Sequence, residues 1–340
     1  MEATNKTSHP FLVIMGFIFI FCFIGSVIFN IILLVVAAGS YDSTTTTDSN
    51  FEVQNVSGTG EQQVLLIHVN GLISDSEFSS ALTSSSVVHS KDIIERLKMA
   101  SDNPDIKAII FKINSPGGEI TATDKIYNAI LNFKKKTHKP VIAYLEGTAA
   151  SGGYYIAVAC DMIICNDICI TGSIGVIMSF IQASDLIENK LGIKPVVIKS
   201  GKHKDIGSFF RSTTEEEQQI LQNIIMQMYE KFLSVVKAGR RNLAILPREE
   251  LLEIADGKIY TGTQALELGL VDQVGSFDDV VAYCKKHISG NISIIQYNDK
   301  YSFLKNLFMS SSQKTTIDTI CNHLGIKTLN PGIYYLWMLN

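Results

Sequence analysis

From Phe11 to Ala38 the chain runs 28 residues without a charge, broken only by Gly16, Gly25, Ser26 and Asn30. About 20 apolar residues cross a bilayer, so this run predicts one transmembrane helix over 11–38, following a short terminus at 1–10. A cleaved signal peptide is the rival, because Ala37 and Ala38 are small, but such a peptide's apolar region spans only about 7–15 residues. Residues 39–60 then turn to Thr, Ser, Asn and Asp, a composition that predicts a flexible stalk. From Val64 short β-branched runs alternate with amphipathic stretches: Val64–Val69, a helix over 91–100, Ile106–Ile113, a helix over 123–135, and Val141–Leu145. That alternation predicts an α/β domain, placed over 61–300.

Each predicted strand runs into a loop of small residues. Asn114–Gly118 follows one and Glu146–Ser151 another, and open α/β sheets gather their sites at such carboxyl ends. A helix over 152–159 starts directly after Ser151 and would aim backbone N–H groups beside that serine. Further on, Ser212, Thr213 and Thr214 precede three glutamates and an apolar stripe of Ile220, Leu221, Ile224, Ile225 and Met228, a capped helix ending near Gly239. The stripe reads as core or subunit contact. Pro247 opens another helix, and a tail over 301–340 carries the apolar run 333–339, too short to cross a bilayer.

Charge narrows the function classes. The chain has 29 Lys and Arg against 33 Asp and Glu, a formal net charge of −4, so it has no basic footprint for nucleic acid. No phosphate loop, dinucleotide fingerprint or metal-spaced ligand cluster stands in it, so neither metal nor cofactor is expected. Lys6 precedes the apolar run and no Lys or Arg recurs until Lys91, which predicts a cytoplasmic N-terminus and an extracytoplasmic domain. Of six cysteines, Cys22 lies in the span; Cys160 and Cys165 read as small buried apolar residues, and sequence leaves any disulfide among the other five open.

The candidate chemistry is acyl transfer. Ser151 lies between Ala149-Ala150 and Gly152-Gly153, where backbone can approach a substrate closely. A serine needs a base, and a lysine serves if it is neutral, which burial promotes. Lys199, Lys202 and Lys204 share one loop and each qualifies on chemistry alone. His203 with Asp205 is a weaker rival, because neighbours in an extended chain point to opposite sides. Gly118 and Gly152 are the candidate oxyanion donors, although Pro116-Gly117-Gly118 also reads as an ordinary turn.

Five motifs in order resemble the signal peptide peptidase A family of membrane-bound bacterial serine peptidases: Asn114–Gly118, the Ser151 segment, Thr171–Val176, the loop around Lys204, and Ala255–Gly262 running on to Leu268–Asp272. The resemblance implies a crotonase-like, ClpP-type domain behind the anchor, with no cofactor. It selects Lys204, in His203-Lys204-Asp205, as the base, expected to be desolvated in the assembled protein. It also implies that Ser173 orients that lysine. The implied protein is a single-pass endopeptidase of the bacterial plasma membrane, assembled as a homo-oligomer, an octamer, that degrades remnant signal peptides near the bilayer. A crotonase-like acyl-CoA enzyme and a non-catalytic peptide-binding membrane scaffold are the alternatives.

Overall fold

A computed structural model of the chain describes residues 15, 18–31, 51–76, 86–299 and, for the backbone, 332–336. Residues 18–31 are helical, with exposed side chains. The rest of the expected span over 11–38 lies outside the described residues, among which no helix is long and apolar enough to cross a membrane.

From Phe51 the chain forms one compact unit. In order it contains β1 (Phe51–Ser57), β2 (Gln62–Asn70), β3 (Leu72–Ile73), β4 (Val87–Val88), α1 (Ser90–Asp102), β5 (Ile106–Ser115), β6 (Gly117–Glu119), α2 (Ile120–Thr137), β7 (Val141–Ala150) and α3 (Gly152–Ala157). Then come β8 (Met162–Cys165), β9 (Ile170–Gly172), β10 (Ile177–Ser179), a π-turn (Leu186–Lys190), α4 (Glu215–Gly239), α5 (Arg241–Ala244), α6 (Arg248–Ile254), β11 (Ile259–Thr261), α7 (Gly262–Glu267), β12 (Gln273–Val274), α8 (Phe277–His287), β13 (Ile292–Asp299) and β14 (Gly332–Leu336).

The main sheet runs β1-β13-β2-β5-β7-β8-β12, with β9 extending from β7 and β11 from β9. Neighbours from β13 to β12 are parallel, and so are β7 and β9. A sheet covered on both faces needs strands that are apolar throughout. In β2, Leu65, Ile67 and Val69 join the core of α1 to α4, while Val64 and Leu66 join a second layer with Val280, Cys284 and Ile288. A smaller sheet, β10-β14-β6-β3-β4, carries the turns around the candidate site.

Boundaries differ from expectation in more than one place: residues 146–150, read as loop, continue β7. Phe51–Ser57, assigned to the stalk, pairs as β1 antiparallel to β13. Phe51 anchors it: the ring is 5% exposed and tilted against Tyr297, with the Arg96 guanidinium 5.1 Å above it. Residues 58–60 follow without regular structure, and the stalk before Phe51 lies outside the described residues. Cys160, Cys165, Cys169 and Cys284 are buried free thiols, as expected for Cys160 and Cys165, and burial pushes the Cys160 thiol well above its ordinary range.

Candidate active site

Ser151 ends β7 and caps α3, with φ 54° and ψ −114°. A non-glycine residue held there stores about 1–3 kcal/mol of strain, so its surroundings must impose it. Its N–H donates to Gly172 O at 2.8 Å, and its own carbonyl accepts from Tyr155 N–H at 2.9 Å. A sharp strand-to-helix turn of this kind pushes a nucleophile's hydroxyl out at the sheet's carboxyl edge. Ser151 is nonetheless 1% exposed, and its Oγ has no hydrogen-bond partner among the described residues. A buried hydroxyl left unpaired costs about 1–3 kcal/mol, a cost that a reacting group would recover in the presence of its substrate.

The glycines explain how backbone reaches this serine. A Cβ on Gly152 would stand 3.2 Å from Gly118 N and 3.1 Å from Gly117 Cα, so the two candidate oxyanion donors are neighbours. A Cβ on Gly118 would fall 1.9 Å from Ile73 O, which reserves the position for glycine. Ser115 Oγ accepts from Gly117 N–H at 3.1 Å and fixes the turn.

Ser173 lies beyond β9 as Ser151 lies beyond β7, and the register Ala150↔Gly172 sets the two serines at one level. Ser173 also has positive φ, 50°, and is buried; its N–H donates to Lys258 O at 2.7 Å. Lys258 belongs to the Ala255–Gly262 motif, whose Tyr260 ring would meet a Cβ on Gly172 at 2.7 Å. From the last motif, Leu270 O accepts from the buried Tyr154 hydroxyl of α3 at 2.7 Å, and Asp272 pairs with Arg240 at 2.8 Å. Motifs spread over some 150 residues of sequence therefore buttress one turn.

Lys204 stands apart. It occupies a run of turns before α4, its side chain is exposed, and no hydrogen bond joins it to Ser151. Its two rivals are occupied. Lys199 Nζ pairs with Asp205 at 2.6 Å and donates to Lys202 O at 3.0 Å, while Lys202 pairs with Glu216. An ion pair favours the charged ammonium, the wrong form for a base, and Lys204 has no such partner among the described residues. His203 faces Glu216 at 3.3 Å and Glu217 at 3.7 Å rather than completing a relay with Asp205.

Two features escaped the sequence reading. Thr123, fully buried in the first turn of α2, holds an unpartnered Oγ1 at 2.9 Å from the position of a Cβ on Gly152. Arg211 forks between Asp205 and Glu217, joining the Lys204 loop to α4. No local pattern marks a threonine in a helix's first turn, and pairing of an arginine with acids six residues away on either side depends on how the loop folds back.

Comparison with known proteins places the chain in a family. Residues 133–289 match the family described as peptidase family S49, and residues 79–165 match the one described as Clp protease. A signal peptide peptidase of Enterococcus faecium is 35% identical over 248 residues, 72% of this chain and 70% of that protein. A protease of Synechocystis is 44% identical over 189 residues, covering 56% of this chain and 65% of its own length. A protease of Methanocaldococcus jannaschii is 41% identical over 193 residues, 56% of this chain and 60% of that protein. The chain thus spans slightly under two thirds of the latter two.

Proposed function

This chain belongs to peptidase family S49, the signal peptide peptidase A family, and is a serine peptidase; from that premise we propose that it is a membrane-anchored endopeptidase using Ser151 as nucleophile and Lys204 as base. The observation that carries this reading is the strained, buried and unpartnered Ser151 at the end of β7, with Gly118, Gly152 and Ser173 around it. Neutral Lys204 takes the Ser151 Oγ proton as Oγ attacks the scissile carbonyl carbon. Backbone N–H groups of Gly118 and Gly152 receive the developing oxyanion, an interaction of about 2.7–4 kcal/mol per donor. Lys204 returns the proton to the leaving amine, and water then releases the acyl group from Ser151 by the same route. Ser173 turns the lysine toward the nucleophile.

The domain is then crotonase-like, and its substrates are peptides lodged at the membrane, remnant signal peptides among them. An extended peptide would pair between β6 and β10, where the chain's own β14 lies antiparallel to both. Residues 11–38 form the anchor, with the domain extracytoplasmic in the bacterial plasma membrane. Assembly into a homo-oligomer, an octamer by family pattern, would cover apolar side chains left in solvent in the segment before Lys204: Leu191, Val196 and Ile198 are 60%, 87% and 96% exposed. It would also desolvate Lys204, which is exposed in the single chain. The scaffold alternative draws on the missing bond between Ser151 and Lys204.

One experiment decides between them: intact-mass analysis of the detergent-solubilised protein after a serine-reactive fluorophosphonate, for wild type, Ser151→Ala and Lys204→Ala. A single adduct on Ser151, absent from Ser151→Ala and strongly slowed in Lys204→Ala, is the expected result. An assembled wild type that takes no adduct overturns the peptidase mechanism.

A further inference from the structure

The turns that carry Lys204 have no ladder or long helix to hold them, yet a base must meet its nucleophile within a fraction of an ångström. Misplacement by about 1 Å can cost roughly 10²-fold in rate. What ties the loop down is Arg211. Its Nε and Nη2 donate to Asp205 Oδ2 and Oδ1 at 3.0 and 2.7 Å, and Asp205 directly follows Lys204. Its Nη1 and Nη2 donate to Glu217 Oε2 and Oε1 at 2.8 and 2.6 Å, so one guanidinium binds both carboxylates in bidentate fashion. A planar fork of this kind fixes orientation as well as distance, which an ammonium cannot do.

Both acids are themselves anchored. The Glu217 side chain is 3% exposed, and its Oε2 accepts from Thr214 N–H at 3.0 Å while Thr214 Oγ1 accepts from Glu217 N–H at 3.3 Å, the capping box of α4. Asp205 is 14% exposed and also holds Lys199, which closes the loop on itself. The cluster thus runs from the rigid start of α4 through Arg211 to the residue beside Lys204. We propose that Arg211, clamped between Asp205 and Glu217, is a positioning residue that holds Lys204 in line with Ser151. This rests on Lys204 being the base.

The test is the rate of fluorophosphonate labelling of Ser151 in the full-length solubilised protein, for Arg211→Ala in the wild-type and Lys204→Ala backgrounds, with peptide kcat and KM beside it. Arg211→Ala should slow labelling and lower kcat by about 10–100-fold with KM little changed. In the Lys204→Ala background it should change nothing further, since the residue acts through that lysine. Free guanidinium at millimolar concentration should restore part of the rate to Arg211→Ala, and Arg211→Lys should retain only part of it. Equal slowing in both backgrounds, or a lowered melting temperature with kcat untouched, overturns the proposal. If Lys204→Ala alone labels at the wild-type rate, the base assignment fails instead, and the two failures are distinct. Should Arg211→Ala not assemble, Glu217→Gln carries the same comparison: it should slow labelling in the wild-type background alone, and equal effects in both overturn the clamp.

Discussion

The two halves of the proposed site are built by opposite means. Ser151 ends a strand at the centre of a parallel sheet, with Ala149, Ala150, Tyr154 and Tyr155 at 0% exposure around it. Lys204 lies on turns held by ion pairs, between a segment whose Val196 and Ile198 face solvent and the first half of α4, whose Ile220 and Met226 do too. The nucleophile's geometry is therefore a property of one chain's core. The proposed base, Lys204, is carried instead on a loop held by a polar clamp beside an exposed apolar surface. On the proposed mechanism, a hydrolase divided in this way would keep its strained serine formed in the single chain and would gain its base only on assembly.

Removing the chemistry from either half should have the largest effect. Ser151→Ala and Lys204→Ala should each lower peptide turnover by about 10⁴-fold or more, and together by little beyond either alone, because groups that act as a unit are not additive. Lys204→Arg should be as poor as Lys204→Ala, since a guanidinium stays protonated. Steady-state cleavage of a fluorogenic peptide measures all three. Full activity in Lys204→Arg would remove Lys204 from the role of base.

Breaking the core half should instead appear as lost stability. Arg240, 8% exposed, pairs with Asp272 at 2.8 Å, and its Nε donates to Gly269 O at 3.0 Å. Arg240→Ala leaves the carboxylate beside the sheet uncompensated and should cost about 3 kcal/mol, the low end for a broken buried pair because Asp272 is 31% exposed. Chemical denaturation of the solubilised protein gives the number. A cost near zero would mean that the Arg240–Asp272 pair does not brace the end of α4.

The exposed half should respond in the other sense. Ile198→Asp adds a charge at a side chain already 96% exposed, so the melting of a single chain should move by no more than about 0.5 kcal/mol. The oligomer should dissociate, and turnover should fall with it. Size-exclusion chromatography with light scattering checks the pair of outcomes; an intact, active oligomer would detach the apolar surface from assembly.

The same division explains what the sequence revealed. Strand β7, the helix behind Ser151 and the Thr214–Glu217 cap were legible because each rests on neighbours within a few residues: periodicity, glycine spacing and a capping box. β1 was read as stalk because Phe51–Ser57 becomes a strand only beside β13, some 240 residues on. Helix α4 was legible in extent but not in burial, since Phe232, Leu233, Val235 and Val236 enter the core while the stripe from Ile220 to Met228 stays partly in solvent. Thr123 and Arg211 depend wholly on tertiary neighbours, and Ser151 with Ser173 emerged together only through the β7–β9 register.

The smallest effect tests the clamp through protons. Hydrogen bonds from Arg211, reinforced by Lys199, hold the Asp205 carboxyl far below its usual range; Arg211 and then the Thr214 N–H do the same for Glu217. Groups whose folded values are depressed lend their stability in full above the unfolded carboxylate range of about 4 and lose it as pH falls toward the folded values. At neutral pH the loop should therefore be as ordered as it can be, and it should loosen only below about pH 4. Limited proteolysis within 199–211 between pH 6 and pH 3, using an acid-tolerant protease, should show cleavage rising toward the acid end in wild type. In Arg211→Ala the loop should be cut readily across the whole range, with much less added by acid. A wild-type loop equally resistant at both ends would mean that the ion pairs seen around Arg211 do not hold it in place.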